Sequence, residues 1–132
     1  MHLPITGLSH LALRVTDVAR AKQFYCDTLG FALVLERADV VLVNAGGLLL
    51  GLRGATAQSA TGDHFDPFRV GLDHIALAVP DVAALTSLEQ QLAAAGVRNN
   101  GVEHDALTGG SYISFYDPDG IAWELYVMPT GG

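Results

Sequence analysis

The distribution of apolar and polar residues changes period along the chain, and the changes recur. From Leu8 to Val15 it alternates, with Leu11, Leu13 and Val15 on one side and His10, Ala12 and Arg14 on the other. That two-residue period predicts a strand. Val18, Ala21, Phe24, Tyr25 and Leu29 then follow at helical spacing. Asp17 is the expected N-cap and Gly30 the expected stop. Three strand-like runs come next, Phe31–Glu36, Val40–Asn44 and Leu48–Arg53, separated by turns at Arg37–Asp39 and Ala45–Gly47. The same order returns further on. Gly71–Val79 predicts a strand, and Asp81 caps a helix carrying Val82, Leu85, Leu88, Leu92 and Ala95 that ends at Gly96. A weak strand follows near Val97–Val102, then a hairpin of Tyr112–Tyr116 and Ala122–Val127 around "DPDG", whose proline and glycine supply turn chemistry.

The recurrence is also literal. "GLSHLALRVTDVA" (Gly7–Ala19) and "GLDHIALAVPDVA" (Gly71–Ala83) agree at nine of thirteen positions, and His10 falls on His74. The chain therefore reads as two copies of one strand–helix–three-strand module. The first spans about residues 5–54, the second about 70–128, and 55–69 is a small, polar linker. A module of about 60 residues is marginal alone, because it buries too small a fraction of its surface, so the two are expected to share one domain over 1–132 or to pack against a second chain. The fold class is α+β, with strands joined by short turns pairing antiparallel and the helix covering one face. Two such curved sheets side by side form a trough floored by His10 and His74. "GVEHDALTGG" (Gly101–Gly110) is expected to be a loop and a candidate lid, with His104 on it and His64 in another loop.

Composition narrows the function class. Half of the 132 residues are hydrophobic and the net charge is −7 with the seven basic residues scattered, which disfavours nucleic acid and anionic membranes as partners. No apolar run reaches the length of a membrane span, and no signal peptide is read at the start. Cys26 is the single cysteine, so an internal disulfide is excluded, which fits a reducing, cytoplasmic setting. Edge strands of two small curved sheets require covering, which points to a homodimer.

The remaining question is what the repeated histidine does. Aligning the last strands of the modules, "GLLLGLR" (Gly47–Arg53) and "GIAWELY" (Gly120–Tyr126), sets Gly51 opposite Glu124. Glu124 interrupts an apolar strand, and a carboxylate there is costly to bury unless it is paired or binds a metal. A lone histidine or glutamate is more often structural. Together, His10, His74 and Glu124 make a facial set of two imidazoles and one carboxylate, which suits divalent Fe, Mn, Ni, Zn or Co and leaves positions open for a ligand. Ser114 and Tyr112 are expected on the same face, Tyr126 lies two residues beyond Glu124, and Arg14 is placed to hold an anionic group; these are the candidate substrate-binding residues. The small residues Ala12, Ala76, Ala78 and Gly51 leave room for a hydrophobic or aromatic molecule.

"GLSHLALRVTDVARAKQFYCDTLGF", "GLDHIALAVPD" and "FYDPDGIAWELY" resemble the vicinal oxygen chelate superfamily, which includes glyoxalase I, extradiol dioxygenases, methylmalonyl-CoA epimerase, fosfomycin thiol transferases and bleomycin resistance proteins. The resemblance runs from Ile5 to about Met128 and implies two tandem βαβββ modules forming a curved mixed sheet around a metal-containing trough. It carries the metal positions onto His10, His74 and Glu124. It also implies a metal-dependent lyase, isomerase or extradiol-type dioxygenase acting on a small molecule that chelates through vicinal oxygens. The alternative it implies is a bleomycin-resistance-like protein that sequesters an antibiotic or aromatic ligand. The further ligand used by glyoxalase I and the epimerase falls on Gly51, which has no side chain. Fosfomycin transferases place a threonine where this chain has Ala12, and cations where this chain has almost none after Arg98. Typical glyoxalase I and fosfomycin activities are therefore not expected, and the resemblance also implies that two chains complete the trough together.

Overall fold

The computed structural model describes residues 1–129. The chain divides into two compact units, Met1–Asp63 and His64–Gly132, and each carries one four-stranded sheet. The first unit runs β1 (Leu11–Arg14), α1 (Val18–Lys22, continued by a π-helical segment Gln23–Thr28), β2 (Ala32–Glu36), β3 (Val40–Ala45) and β4 (Leu48–Arg53). The second runs β5 (Ile75–Ala78), α2 (Val82–Ala94), β6 (Asn99–His104), β7 (Ser111–Tyr116) and β8 (Ala122–Val127). The fold is α+β, built from two βαβββ modules.

The sheets have the same topology. In space the first is ordered β1-β4-β3-β2 and the second β5-β8-β7-β6. The short-turn connections pair antiparallel as expected, whereas β1 with β4 and β5 with β8 pair parallel, since a helix carries the chain across between them. The registers correspond as well. Ala12 pairs with Gly51, and Ala76 pairs with Glu124. Each alanine stands two residues after its histidine, so Gly51 does occupy the position in the first module that Glu124 holds in the second.

Local signals set the ends of both helices. The Asp17 carboxylate accepts from the Arg20 N–H at 3.0 Å, and the Asp81 carboxylate from the Ala84 N–H at 2.8 Å. Each satisfies a donor that the first helical turn leaves orphaned. Gly30 and Gly96 adopt φ of 77° and 71°, a region open to glycine, and the next residue bonds back into the helix: Phe31 to Tyr25 and Val97 to Leu92, both at 2.9 Å. The first helix departs from a plain α-helix. Its second half is wound as a π-helix around the fully buried Tyr25, a winding that apolar spacing does not encode.

Each unit buries its own set of apolar residues, although Val82 of the second helix is exposed. Val15, Val41, Val43, Leu50 and Leu52 are buried in the first unit, as are Leu85, Leu92, Ile113, Phe115 and Trp123 in the second. Ile113 and Phe115 each contribute on the order of 1.5–3 kcal/mol by burial. Phe115 stacks on Trp123 with ring centroids 6.3 Å apart. The boundaries nearest the histidines differ from the sequence reading. The strands begin only at Leu11 and Ile75, so His10 and His74 lie just before them, because the parallel ladder starts there. The weak strand runs Asn99–His104, so His104 and the first part of the expected Gly101–Gly110 loop belong to β6. Among the described residues no helix is long and apolar enough to cross a membrane.

Candidate metal and ligand site

The second unit brings together His74 and Glu124. The "DPDG" turn fixes β8 against β7, because the buried Asp117 carboxylate accepts from the N–H groups of Asp119 and Ile121 at 2.9 and 2.8 Å. Ser114 then faces Glu124, and Tyr112 faces Tyr126. Pleat alternation turns these four away from Ile113, Phe115 and Trp123, which lie fully buried on the opposite face. The Glu124 side chain is only 14% exposed, and its Oε1 lies 3.4 Å from His74 Nε2. Burial pushes the Glu124 carboxyl above its ordinary range, and the attraction of His74 only partly opposes this.

The other imidazole nitrogen is occupied. His74 Nδ1 lies 2.6 Å from an Asp73 carboxylate oxygen. His10, in the first unit, has the same arrangement in weaker form, with Nδ1 3.0 Å from the Ser9 hydroxyl. In both modules Nε2 is thus the nitrogen left for a metal. Bonds of about 2.0–2.2 Å to one ion set neighbouring donors about 3 Å apart. The spacing of His74 Nε2 and Glu124 Oε1 is close to that, and an imidazole beside a half-buried carboxylate is a donor pair that a divalent cation satisfies. Among the described residues no group of three or more His, Cys, Asp or Glu side chains is gathered as a metal site. His74 and Glu124 are brought together, while His10 stands in the other unit.

The expected ligand-binding residues divide. Ser114 lies directly across from Glu124. Tyr112 stacks on Tyr126 with centroids 5.8 Å apart, and its hydroxyl is pushed up to about 12 by a hydrogen bond to Glu103. The Tyr126 hydroxyl is already engaged. It donates to Asp105 at 2.7 Å and is hydrogen-bonded to Thr108. Gly110 packs so closely on the Tyr126 ring that a Cβ there would come within 2.6 Å of it. Residues 105–110 are therefore a clasp fastened to the sheet rather than an open lid. Arg14 is engaged too, donating to the Gly54 carbonyl at 2.6 Å. The sequence reading singled out none of Asp73, Ser9, Glu103, Asp105 or Thr108. A signal for the first two was present, since the repeat sets a polar residue immediately before each histidine.

The clasp has a pH dependence of definite sign. The Tyr126 hydroxyl, helped by the Leu107 N–H, holds the Asp105 carboxyl below its ordinary value of 3.8. A lowered value means the folded state favours the anion, so the clasp is at full strength above the ordinary value and weakens as pH falls through the lower folded-state value. The protection of the Gly109 amide against exchange, relative to its intrinsic rate at the same pH, is expected to fall on acidification in the wild type, because this N–H bonds to the Asp105 carbonyl. It should fall far less in Asp105→Asn, and an equal loss of protection in both would refute this account.

Comparison with known proteins agrees with this architecture. The model of the Glyoxalase/Bleomycin resistance protein/Dioxygenase superfamily matches residues 7–125. The chain is 34% identical over 131 residues to the protein YaeR of Escherichia coli (strain K12), covering 94% of this chain and 98% of that protein. The crystal structure of a glyoxylase/bleomycin resistance protein/dioxygenase domain from Frankia sp. EAN1pec is 28% identical, with a TM-score of 0.80 over 97% of this chain and 96% of that one. Lactoylglutathione lyase from Agrobacterium tumefaciens, at 22% identity, shares the fold with a TM-score of 0.74 over 95% of this chain and 96% of its own. With a match over nearly its whole length and the duplicated βαβββ module behind it, this chain belongs to the glyoxalase/bleomycin resistance protein/dioxygenase superfamily.

Proposed function

We propose that the protein is a metal-dependent enzyme of the glyoxalase/dioxygenase type, acting on a small hydrophobic or aromatic molecule that presents two neighbouring oxygens. The observation that carries this reading is the His74–Glu124 pair, with the imidazole Nε2 turned towards a carboxylate that burial has made costly to leave uncompensated. His10 is the third ligand, as the repeat of its motif implies. A divalent ion held there would polarise the substrate's oxygens as a Lewis acid. Glu124 offsets part of the ion's charge. Ser114, next to it across the ladder, offers a hydroxyl to the bound molecule. Tyr112 keeps its proton well above neutral pH in its bond to Glu103, so it serves as a packing surface, not as a base.

The functional form in this reading is a homodimer in the cytoplasm, with the trough completed between copies. The edge strand β2 supports self-association, because Leu33, Val34 and Leu35 are 47%, 55% and 37% exposed. The test is metal content per chain after purification without chelators, measured together with the mass in solution by light scattering. About one divalent ion per chain in a dimer is expected. Alanine at His10, His74 or Glu124 should each weaken metal binding by more than the 10–100-fold typical of losing an outer-shell partner. Unchanged metal content in all three variants would overturn the proposal. Retained metal with no turnover on any vicinal dioxygen substrate would favour a sequestering protein instead.

A further inference from the structure

We propose that Asp73 is a positioning residue that fixes which nitrogen His74 offers to the metal, and that Ser9 leaves His10 without this constraint. The inference rests on the reading of His74 and His10 as ligands. Which imidazole nitrogen binds a metal is set by what the other one bonds to. A neutral imidazole has one N–H, and His74 has two carboxylates within reach of it. Asp73 lies 2.6 Å from Nδ1, whereas Glu124 lies 3.4 Å from Nε2. A short, charge-assisted hydrogen bond outweighs a contact at the limit of hydrogen-bonding distance, so the proton sits on Nδ1. Nε2 then turns a lone pair towards the Glu124 carboxylate, and two acceptors face each other with no proton between them. A cation is what that gap accepts.

The first module repeats the geometry with different chemistry. Ser9 lies 3.0 Å from His10 Nδ1, but a hydroxyl donates as readily as it accepts. It therefore holds the ring without fixing the tautomer. The duplicated motif "GLSH" and "GLDH" thus carries one pre-set histidine and one adaptable one. Asp73 is 74% exposed, so replacing it removes the orientation without opening the core.

The test reads the tautomer directly. Long-range proton–nitrogen spectra of the metal-free, full-length, nitrogen-15-labelled protein are recorded at a pH where histidine is neutral, with His74 assigned from a His74→Gln spectrum. His74 is expected as the Nδ1–H form in the wild type. Asp73→Asn, which keeps an acceptor, should retain that form, and Asp73→Ala should lose it. Cobalt(II) affinity, from competition with a chromophoric chelator, should fall about 10–100-fold in Asp73→Ala and less in Asp73→Asn. Ser9→Asp should move His10 to the Nδ1–H form and tighten cobalt by about 10-fold. Leu8→Asp, with the same charge beside it, should do neither. Finding wild-type His74 as the Nε2–H form, or unchanged in Asp73→Ala, would overturn the proposal. If the tautomers behave as stated but the wild type binds no cobalt, the positioning role stands and the metal reading fails.

Discussion

Glu124→Gln is expected to abolish metal binding and at the same time make the metal-free protein more stable. Glu124 is 14% exposed, and burial raises its carboxyl more than His74 lowers it, so the anion is held at a cost in the folded state. Glutamine has the same shape without the charge. Its amide removes the penalty of a half-buried carboxylate, and its oxygen is a poor substitute as a ligand. Metal affinity should drop by more than about 100-fold, beyond what an outer-shell change produces. The chelator-treated variant should unfold at a higher temperature than the chelator-treated wild type, each 1 kcal/mol gained raising the midpoint by about 4–8 °C for a unit of this size. Calorimetry of both proteins after chelator treatment, beside metal analysis of both before it, separates the effects. A functional residue that destabilises its own fold gives opposite signs in the two measurements. Loss of both metal and stability would mean that Glu124 is a structural hydrogen-bonding residue.

The second large effect is expected at Gly51. Its backbone has no positive φ, and a Cβ added there would meet Leu42 at 3.4 Å and Ala12 at 3.6 Å. A side chain is therefore accommodated as far as Cβ. In the second module the residue across the ladder from Glu124 is Ser114, while in the first the residue across from Gly51 is Leu42. Leu42 is the apolar neighbour that a longer side chain at Gly51 must pass. Gly51→Glu together with Leu42→Ser reproduces the pair found in the second module. If the first module contributes to the metal trough through His10, the added carboxylate should tighten metal about 10-fold or more and obstruct the space a ligand needs. Leu42→Ser alone should do neither. Metal affinity unchanged in a well-folded double variant would show that β4 does not face the metal.

The modules, their order and their registers were readable because each is encoded by local chemistry that appears twice. Alternation along Leu11, Leu13 and Val15, helix caps at Asp17 and Asp81, and stops at Gly30 and Gly96 depend on neighbours within a few residues. The duplication then turned two separate readings into one alignment, and the pairing of Ala12 with Gly51 and of Ala76 with Glu124 bears that alignment out. Glu124 stood out because a charge in an apolar strand needs a reason. Other features were decided only by the folded chain. The π-helical winding around Tyr25 follows from packing a buried ring, not from spacing. The late start of β1 and β5, which leaves both histidines ahead of their strands, follows from where β4 and β8 are available to pair. The attachment of Asp105 and Thr108 to Tyr126 joins residues about twenty apart, and it turned an expected lid into a clasp. The sequence placed a histidine in each module, but only distances to Asp73, Ser9 and Glu124 distinguish the two nitrogens of a ring, because hydrogen-bond geometry belongs to side chains already set in space.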